Sequence, residues 1–275
     1  MNEINLLKLS FKALGVELGD GVFVHASMKS IGHLKGGPHV LISALKKTVG
    51  LSGLVVMPAF SDSKTYIGHI SDEKVRSSHI SKDSCNSMGL LAESFRKSEG
   101  VVRSSHPCVS VAMWGNNCSY YVRDHPLNWS TGSDSPFGKL VYRTNMKIIL
   151  IGVGWNRCTA LHTAEYLSPI KRLKSRRINT VGLKRKVQDI TTIDVADDND
   201  TFFPIIGSEF EAKNKVKYGK VGCAKTMICD YTELINFAKK RIEYLNHANC
   251  KNNKFYPIIE LKWGCKNNCV TAYYI

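Results

Sequence analysis

The chain has 275 residues and is 43% hydrophobic, enough to bury a full core as one large domain or two small ones. No stretch approaches the roughly 18 uncharged apolar residues of a bilayer span, and the opening MNEINLLKLSFKALG does not read as the basic region, apolar block and cleavage site of a signal peptide, so a soluble cytoplasmic protein is expected. Lys and Arg total 38 against 23 acids, a formal charge of +15 that attracts anions and repels polycations.

In chain order, residues 2–14 predict a helix with Ile4, Leu7, Phe11 and Leu14 on one face and Gly15 as terminator. Residues 21–27, GVFVHAS, predict a buried strand running into a polar loop. Residues 38–49 predict a helix with proline in its first turn and Gly50 at its end. A strand over 54–57 is stopped by Pro58, and the polar stretch 61–85 is long enough to be a functional loop. A helix over 86–97, strands over 109–114 and 146–153, and a helix over 158–167 follow. A hairpin is expected over 177–193 near Gly182 and another around Gly219. The last predicted element is a helix over 231–245, opened by Asp230 and Glu233 at capping-box spacing. Strands and helices intermix, so the expected fold class is α/β (α+β): a mixed sheet flanked by helices, one domain over 1–246 with a C-terminal extension over 247–275.

Three stretches carry candidate chemistry. VHASMKSIG (24–32), followed by Gly36 and Gly37, ends a strand in small hydroxyl residues and glycines whose amides suit a phosphate or an ordinary loop. In VVRSSHPCVS (101–110), Arg103, Ser104, Ser105 and His106 precede a proline that requires extended backbone, and an arginine beside hydroxyls suits a phosphate or a loop end alike. In GVGWNRCTALHTAEY (152–166), the i, i+3 spacing puts His162 and Glu165 on one helix face, with Thr159 one turn earlier. A histidine at the carboxyl edge of a sheet serves as a general base toward an amine, or is packed and hydrogen-bonded in the core. The chain has no nucleophile elbow, P-loop or dinucleotide fingerprint, so serine hydrolysis, nucleotide hydrolysis and hydride transfer have no support.

Residues 169–186 hold eight basic residues and no acid, and Asp189, Asp194, Asp197, Asp198 and Asp200 follow. A charge run is usually a solvated face, and no nucleic-acid motif accompanies this one. Cys85, Cys108, Cys118, Cys158, Cys223 and Cys229 are scattered singly and read as reduced core or surface residues. His247, Cys250, Cys265 and Cys269 give H-x2-C and C-x3-C pairs that suit a structural zinc ion. They read equally as packing cysteines in a tail that docks through Phe255, Tyr256 and Trp263.

Taken in register, LGVELGDGVFVHASMKSIGHLKGG, GLVVMPAFS, RSSHPCVSVAMWG, DHPLNWSTGSDSPFGKL, IILIGVG, TALHTAEY, FPIIGSEFE and VGCAKTMICDYTELINFAKKRI resemble the aminoglycoside 3-N-acetyltransferase family over about residues 6–245. The resemblance implies an α/β acyltransferase with acyl-CoA (acetyl-CoA or longer) as co-substrate. It implies that His25, Ala26, Ser27, Lys29 and Ser30 hold the coenzyme A pyrophosphate and pantetheine arm, with Arg103, Ser104, Ser105 and Ser110 on a second side of that cleft. His162 matches the family's general base. The family's supporting carboxylate lies downstream, before the FPIIG segment, where Asp194 is the candidate. The function expected is an acyl-CoA-dependent N-acyltransferase acting on an amino sugar, chemistry that requires orientation and a base but no metal. The +15 charge, with its basic run after the His162 helix, favours a nucleotide-diphosphate-linked amino sugar as acceptor. An aminoglycoside 3-N-acetyltransferase conferring antibiotic resistance is the alternative, and a non-catalytic anion or nucleic-acid binding protein is the alternative of another class.

Overall fold

The computed structural model describes residues 2–60, 77–78, 88–106, 109–126, 130–168, 176–181, 187–192 and 203–251. The chain begins with α1 (Glu3–Ala13), whose N-cap Asn2 accepts the Asn5 amide, and β1 (Gly21–Ala26). A single turn, α2 (Met28–Ile31), and α3 (Pro38–Val49) lead into β2 (Leu54–Pro58). Next come the two-residue β3 (Ser77–Ser78), α4 (Leu90–Arg96), β4 (Val102–Arg103), β5 (Val111–Gly115), α5 (Cys118–Val122) and α6 (Pro136–Leu140). The strand β6 (Met146–Ile151) is followed by a 3-10 turn, Trp155–Arg157, and α7 (Ala160–Leu167). The remainder is β7 (Arg176–Val181), β8 (Val187–Thr192), α8 (Phe203–Glu211), β9 (Lys217–Val221), β10 (Ala224–Asp230) and α9 (Tyr231–Lys251).

The main sheet has seven strands in the order β4-β5-β2-β1-β6-β10-β9. Its centre is parallel, with β1 between β2 and β6, and its flanks are antiparallel. The mixed sheet flanked by helices expected from sequence is therefore present. The central strands read as unbroken apolar runs because both faces are covered. Phe23, Leu54, Val56, Ile148 and Leu150 point into one core with α6, α7, α8 and α9. Val22, Val24, Val55, Met57, Ile149 and Ile151 point into the other, with α1, α3 and α4. On α9, Tyr231, Leu234, Ile235, Ala238 and Ile242 form the buried stripe of a helix lying on a sheet.

Several elements depart from the sequence reading. The helix expected from residue 86 starts at Leu90, after Gly89 with φ +92°, a conformation no right-handed helix contains. The strand expected to reach 153 ends at Ile151, where Gly152 adopts φ +64°. Gly219 lies inside β9, and the hairpin turns instead at Gly222, φ +59°. The hairpin expected over 177–193 is the antiparallel pair β7–β8, with β3 parallel beside β7. Helix α9 runs on to Lys251, so the boundary drawn at 246/247 falls within helical backbone. No described helix is long and apolar enough to cross a membrane.

Candidate active site

Because β1 and β6 are parallel neighbours, their last residues and the turns that follow meet at one carboxyl edge. In open α/β sheets a crevice at that edge is where ligands bind. The Ser27 amide donates to the Ile151 carbonyl at 2.9 Å, which ties the two turns together. The Ser30 hydroxyl donates to the Gly152 carbonyl at 3.2 Å, and the Ser27 side chain caps α2 by accepting the Ser30 amide at 3.3 Å. Lys29 is exposed on α2, and Ala26 is half-buried at the end of β1. The Ser27 amide is therefore spent within the fold.

His25 stands two positions before this turn. It is a strand residue, 5% exposed, its ring tilted 35° against Phe23 at 4.8 Å, with no hydrogen bond to Nε2. Burial alone pushes its pKa down to about 3, so it is neutral and offers no charge to a pyrophosphate.

From β6 the chain turns through Trp155–Arg157 into α7. The buried Cys158 thiol faces the amides of Ala160 and Leu161 at the start of α7, and burial pushes its pKa up to about 12 in spite of them. It is a packing residue, not a nucleophile. Two residues into α7, His162 Nδ1 lies 2.8 Å from Glu165 Oε2 on the same helix face. Ionised, that carboxylate is purely an acceptor, so Nδ1 carries the proton and Nε2 keeps its lone pair. The imidazole meets the Phe203 ring at 4.7 Å, with 64° between planes. Phe203 opens α8, and α8 is seated by Trp155: Gly207 lies so close to the indole that a Cβ there would sit 2.1 Å from Cγ, while the indole N–H donates to Glu211 at 2.5 Å. The acid expected downstream of His162, Asp194, lies outside the described residues; Glu165 is the described carboxylate on the ring.

The antiparallel β2–β5 and β5–β4 pairings bring Arg103 and Ser110 to the same sheet edge. Their side chains turn inward. Arg103 donates through Nη2 to the Ala59 carbonyl at 2.6 Å and through Nε to Ser110 Oγ at 2.8 Å, and Ser110 donates to Ala59 at 2.5 Å. Ser110 is fully buried and Ser104 is 3% exposed, so neither presents a free hydroxyl, whereas Ser105 is exposed. These residues brace the rim of the edge.

Sequence reasoning assigned no role to His125, which bonds Ser104 and Ser130, and named His106 only as part of its loop; His106 Nδ1 accepts the Val109 amide at 2.9 Å. The two rings lie 4.8 Å apart. The available signal was the repeated His-Pro dipeptide, at 106–107 and 125–126, which twice sets a histidine on extended backbone. His247, Cys250, Cys265 and Cys269 have side chains outside the described residues, and no group of three or more potential metal ligands occurs among the described ones.

The family model described as aminoglycoside 3-N-acetyltransferase matches residues 23–243. This chain belongs to that family. A prophage-derived aminoglycoside N(3')-acetyltransferase-like protein of Bacillus subtilis, YokD, is 32% identical over 243 residues, covering 83% of this chain and 88% of that one. Aminoglycoside N(3)-acetyltransferase VII of Streptomyces paromomycinus is 29% identical, covering 86% and 94%. Among solved structures, AAC-IIIb in binary complex with CoASH superposes with TM-score 0.78 at 28% identity, covering 89% of this chain and 97% of that one. The enzyme class expected from sequence, an N-acyltransferase using a coenzyme A-linked donor, is that of the family. The nucleotide-linked acceptor expected from net charge finds no support among these acetyltransferases. Net charge sums the whole surface, including exposed lysines such as Lys217, Lys220 and Lys225 on β9 and β10, and does not describe one pocket.

Proposed function

We propose that this protein transfers the acetyl group of acetyl-CoA to an amino group of an aminoglycoside, as the names of its relatives suggest, and thereby confers resistance to that antibiotic. The observation that carries the reading is the His162–Glu165 pair on the first turns of α7, at the sheet edge where the Ser27–Ser30 turn also ends. The donor lies along that turn, with Lys29 exposed beside its phosphates. The acceptor amine approaches Nε2 of His162. A solved relative, AAC-VIa bound to sisomicin, superposes with TM-score 0.77 at 25% identity and carries an aminoglycoside.

The thioester is already activated, so the protein's task is orientation and proton removal. The amine nitrogen attacks the thioester carbonyl carbon, and the N–C bond forms as the C–S bond breaks. The proton shed by the amine passes to His162 Nε2, while Glu165 stabilises the resulting imidazolium through Nδ1–H. Coenzyme A leaves as the thiolate and is reprotonated as His162 returns to neutrality. A thiol-release assay with acetyl-CoA against gentamicin-type aminoglycosides and nucleotide-linked amino sugars tests the reading. Turnover confined to the aminoglycosides is expected, and turnover confined to nucleotide sugars overturns it.

A further inference from the structure

A chain of hydrogen bonds runs from the β4 edge of the sheet to the backbone of His162, and chemistry alone gives each bond its direction. His125 Nε2 lies 2.6 Å from the Ser130 carbonyl oxygen, which only accepts, so the ring proton sits on Nε2. Nδ1 is then an acceptor, and the Ser104 hydroxyl at 2.9 Å donates to it. Ser104 Oγ uses a lone pair for the Val111 amide at 3.0 Å. Thr131 follows Ser130 directly, and its hydroxyl donates to the His162 carbonyl at 3.4 Å. His125, Ser130 and Thr131 are 5%, 1% and 0% exposed, so water does not replace a lost bond cheaply. The segment is stiff: Ser135 donates to Gly132 at 2.6 Å and caps α6 by accepting the Gly138 amide, and a Cβ on Gly138 would stand 2.1 Å from the Gly132 carbonyl oxygen.

We propose that His125 is a positioning residue for His162, acting through the Nε2–H bond to Ser130 and the Thr131 bond to the α7 backbone. His125 touches neither donor nor amine. It holds residues 130–131 against the helix turn that carries the base, and losing the Ser130 bond lets that turn shift. The proposal rests on His162 being the base.

Gln and Asn separate the two ends of the ring, since Gln sets an amide N–H near the Nε2 position and Asn sets a carbonyl near Nδ1. Turnover of acetyl-CoA with an aminoglycoside is measured per coenzyme A-binding molecule, counted by calorimetric titration, so that a lost folded fraction does not register. His125→Gln is expected to keep kcat within about threefold and His125→Asn to lose about tenfold to a hundredfold, with the donor KM unchanged in both. Equal kcat in the two variants, or parental kcat in His125→Asn, overturns the proposal. Thr131→Val cuts the other end at nearly constant volume and is expected to lower kcat in the same sense. Parental kcat there overturns the proposal even if His125→Asn does not fold. His162→Ala is run alongside: parental turnover in it removes the base assignment itself, independently of the His125 result.

Discussion

His162 Nδ1 and Glu165 Oε2 face each other at 2.8 Å across one turn of α7, in a part of the molecule where both residues are buried. The helix supplies the geometry, since residues three apart share a face, and burial keeps water from competing for the carboxylate. His162→Ala is expected to cut kcat by about a hundredfold to ten-thousandfold while leaving coenzyme A affinity near parental. Glu165→Gln keeps an acceptor for Nδ1–H but loses the charge that stabilises the imidazolium, and a smaller loss is expected. Steady-state rates with calorimetric binding distinguish the two; a Glu165→Gln enzyme with parental kcat removes Glu165 from the proton transfer.

Gly207 tests how tightly α8 is keyed to the turn before α7. An added Cβ would sit inside the Trp155 indole, so Gly207→Ala must displace either the ring or the helix. Overpacking of this kind costs about 1–3 kcal/mol. Because α8 also carries Phe203 onto His162, lower thermal stability and lower kcat are expected together. A melting temperature equal to the parent's would show that the interface yields freely.

Gly152 makes the corresponding test on the donor side. Its φ of +64° disfavours any side chain, and a Cβ there would stand 2.3 Å from Ser30 Cβ. Gly152→Ala is expected to displace the Ser27–Ser30 turn and raise the KM for acetyl-CoA more than that for the acceptor. The reverse order in initial-rate kinetics would move this turn to the acceptor side.

His25 and His125 predict sensitivity to acid. Burial depresses both from 6.5 to about 3, for His125 with further lowering from His106 and Lys139. The unfolded chain binds these two protons near pH 6.5 and the folded one does not, so the stability they contribute is full above about pH 6.5 and is lost as pH falls toward the folded values. By pH 5 each histidine is expected to have cost about 2 kcal/mol. Urea denaturation between pH 8 and pH 5 reads this directly, and the slope should fall by about one proton per residue in His25→Phe or His125→Gln. A pH-independent stability over that range contradicts the assignment.

Local signals in the chain were enough to place much of this protein. The period of the apolar residues, Pro38 at a helix start, and Asp230 accepting the Glu233 amide at 2.8 Å are local in origin, and the elements they mark form where expected. The His162–Glu165 pair was legible for the same reason, since three residues along a helix determine it. Residues distant in sequence could not be assigned that way. Ser104, Ser110 and Arg103 looked like ligand groups because loops rich in hydroxyls and arginine often are; the pairing of β4 with β5 and of β5 with β2 turned Arg103 and Ser110 onto Ala59 and each other, and Ser104 onto Val111 and His125. His25 lay within the strand expected from sequence, and the resemblance grouped it with the donor loop; its place on β1 between two covered sheet faces keeps it in the core. The contacts of His162 with Phe203, 41 positions away, and with Thr131, 31 positions away, exist because α8 and the segment before α6 pack against α7. Local sequence thus determined the helices, the strands and the His162–Glu165 pair. Which buried groups stand around that pair was decided by long-range packing, because only the closed sheet and its two cores bring those segments within bonding distance.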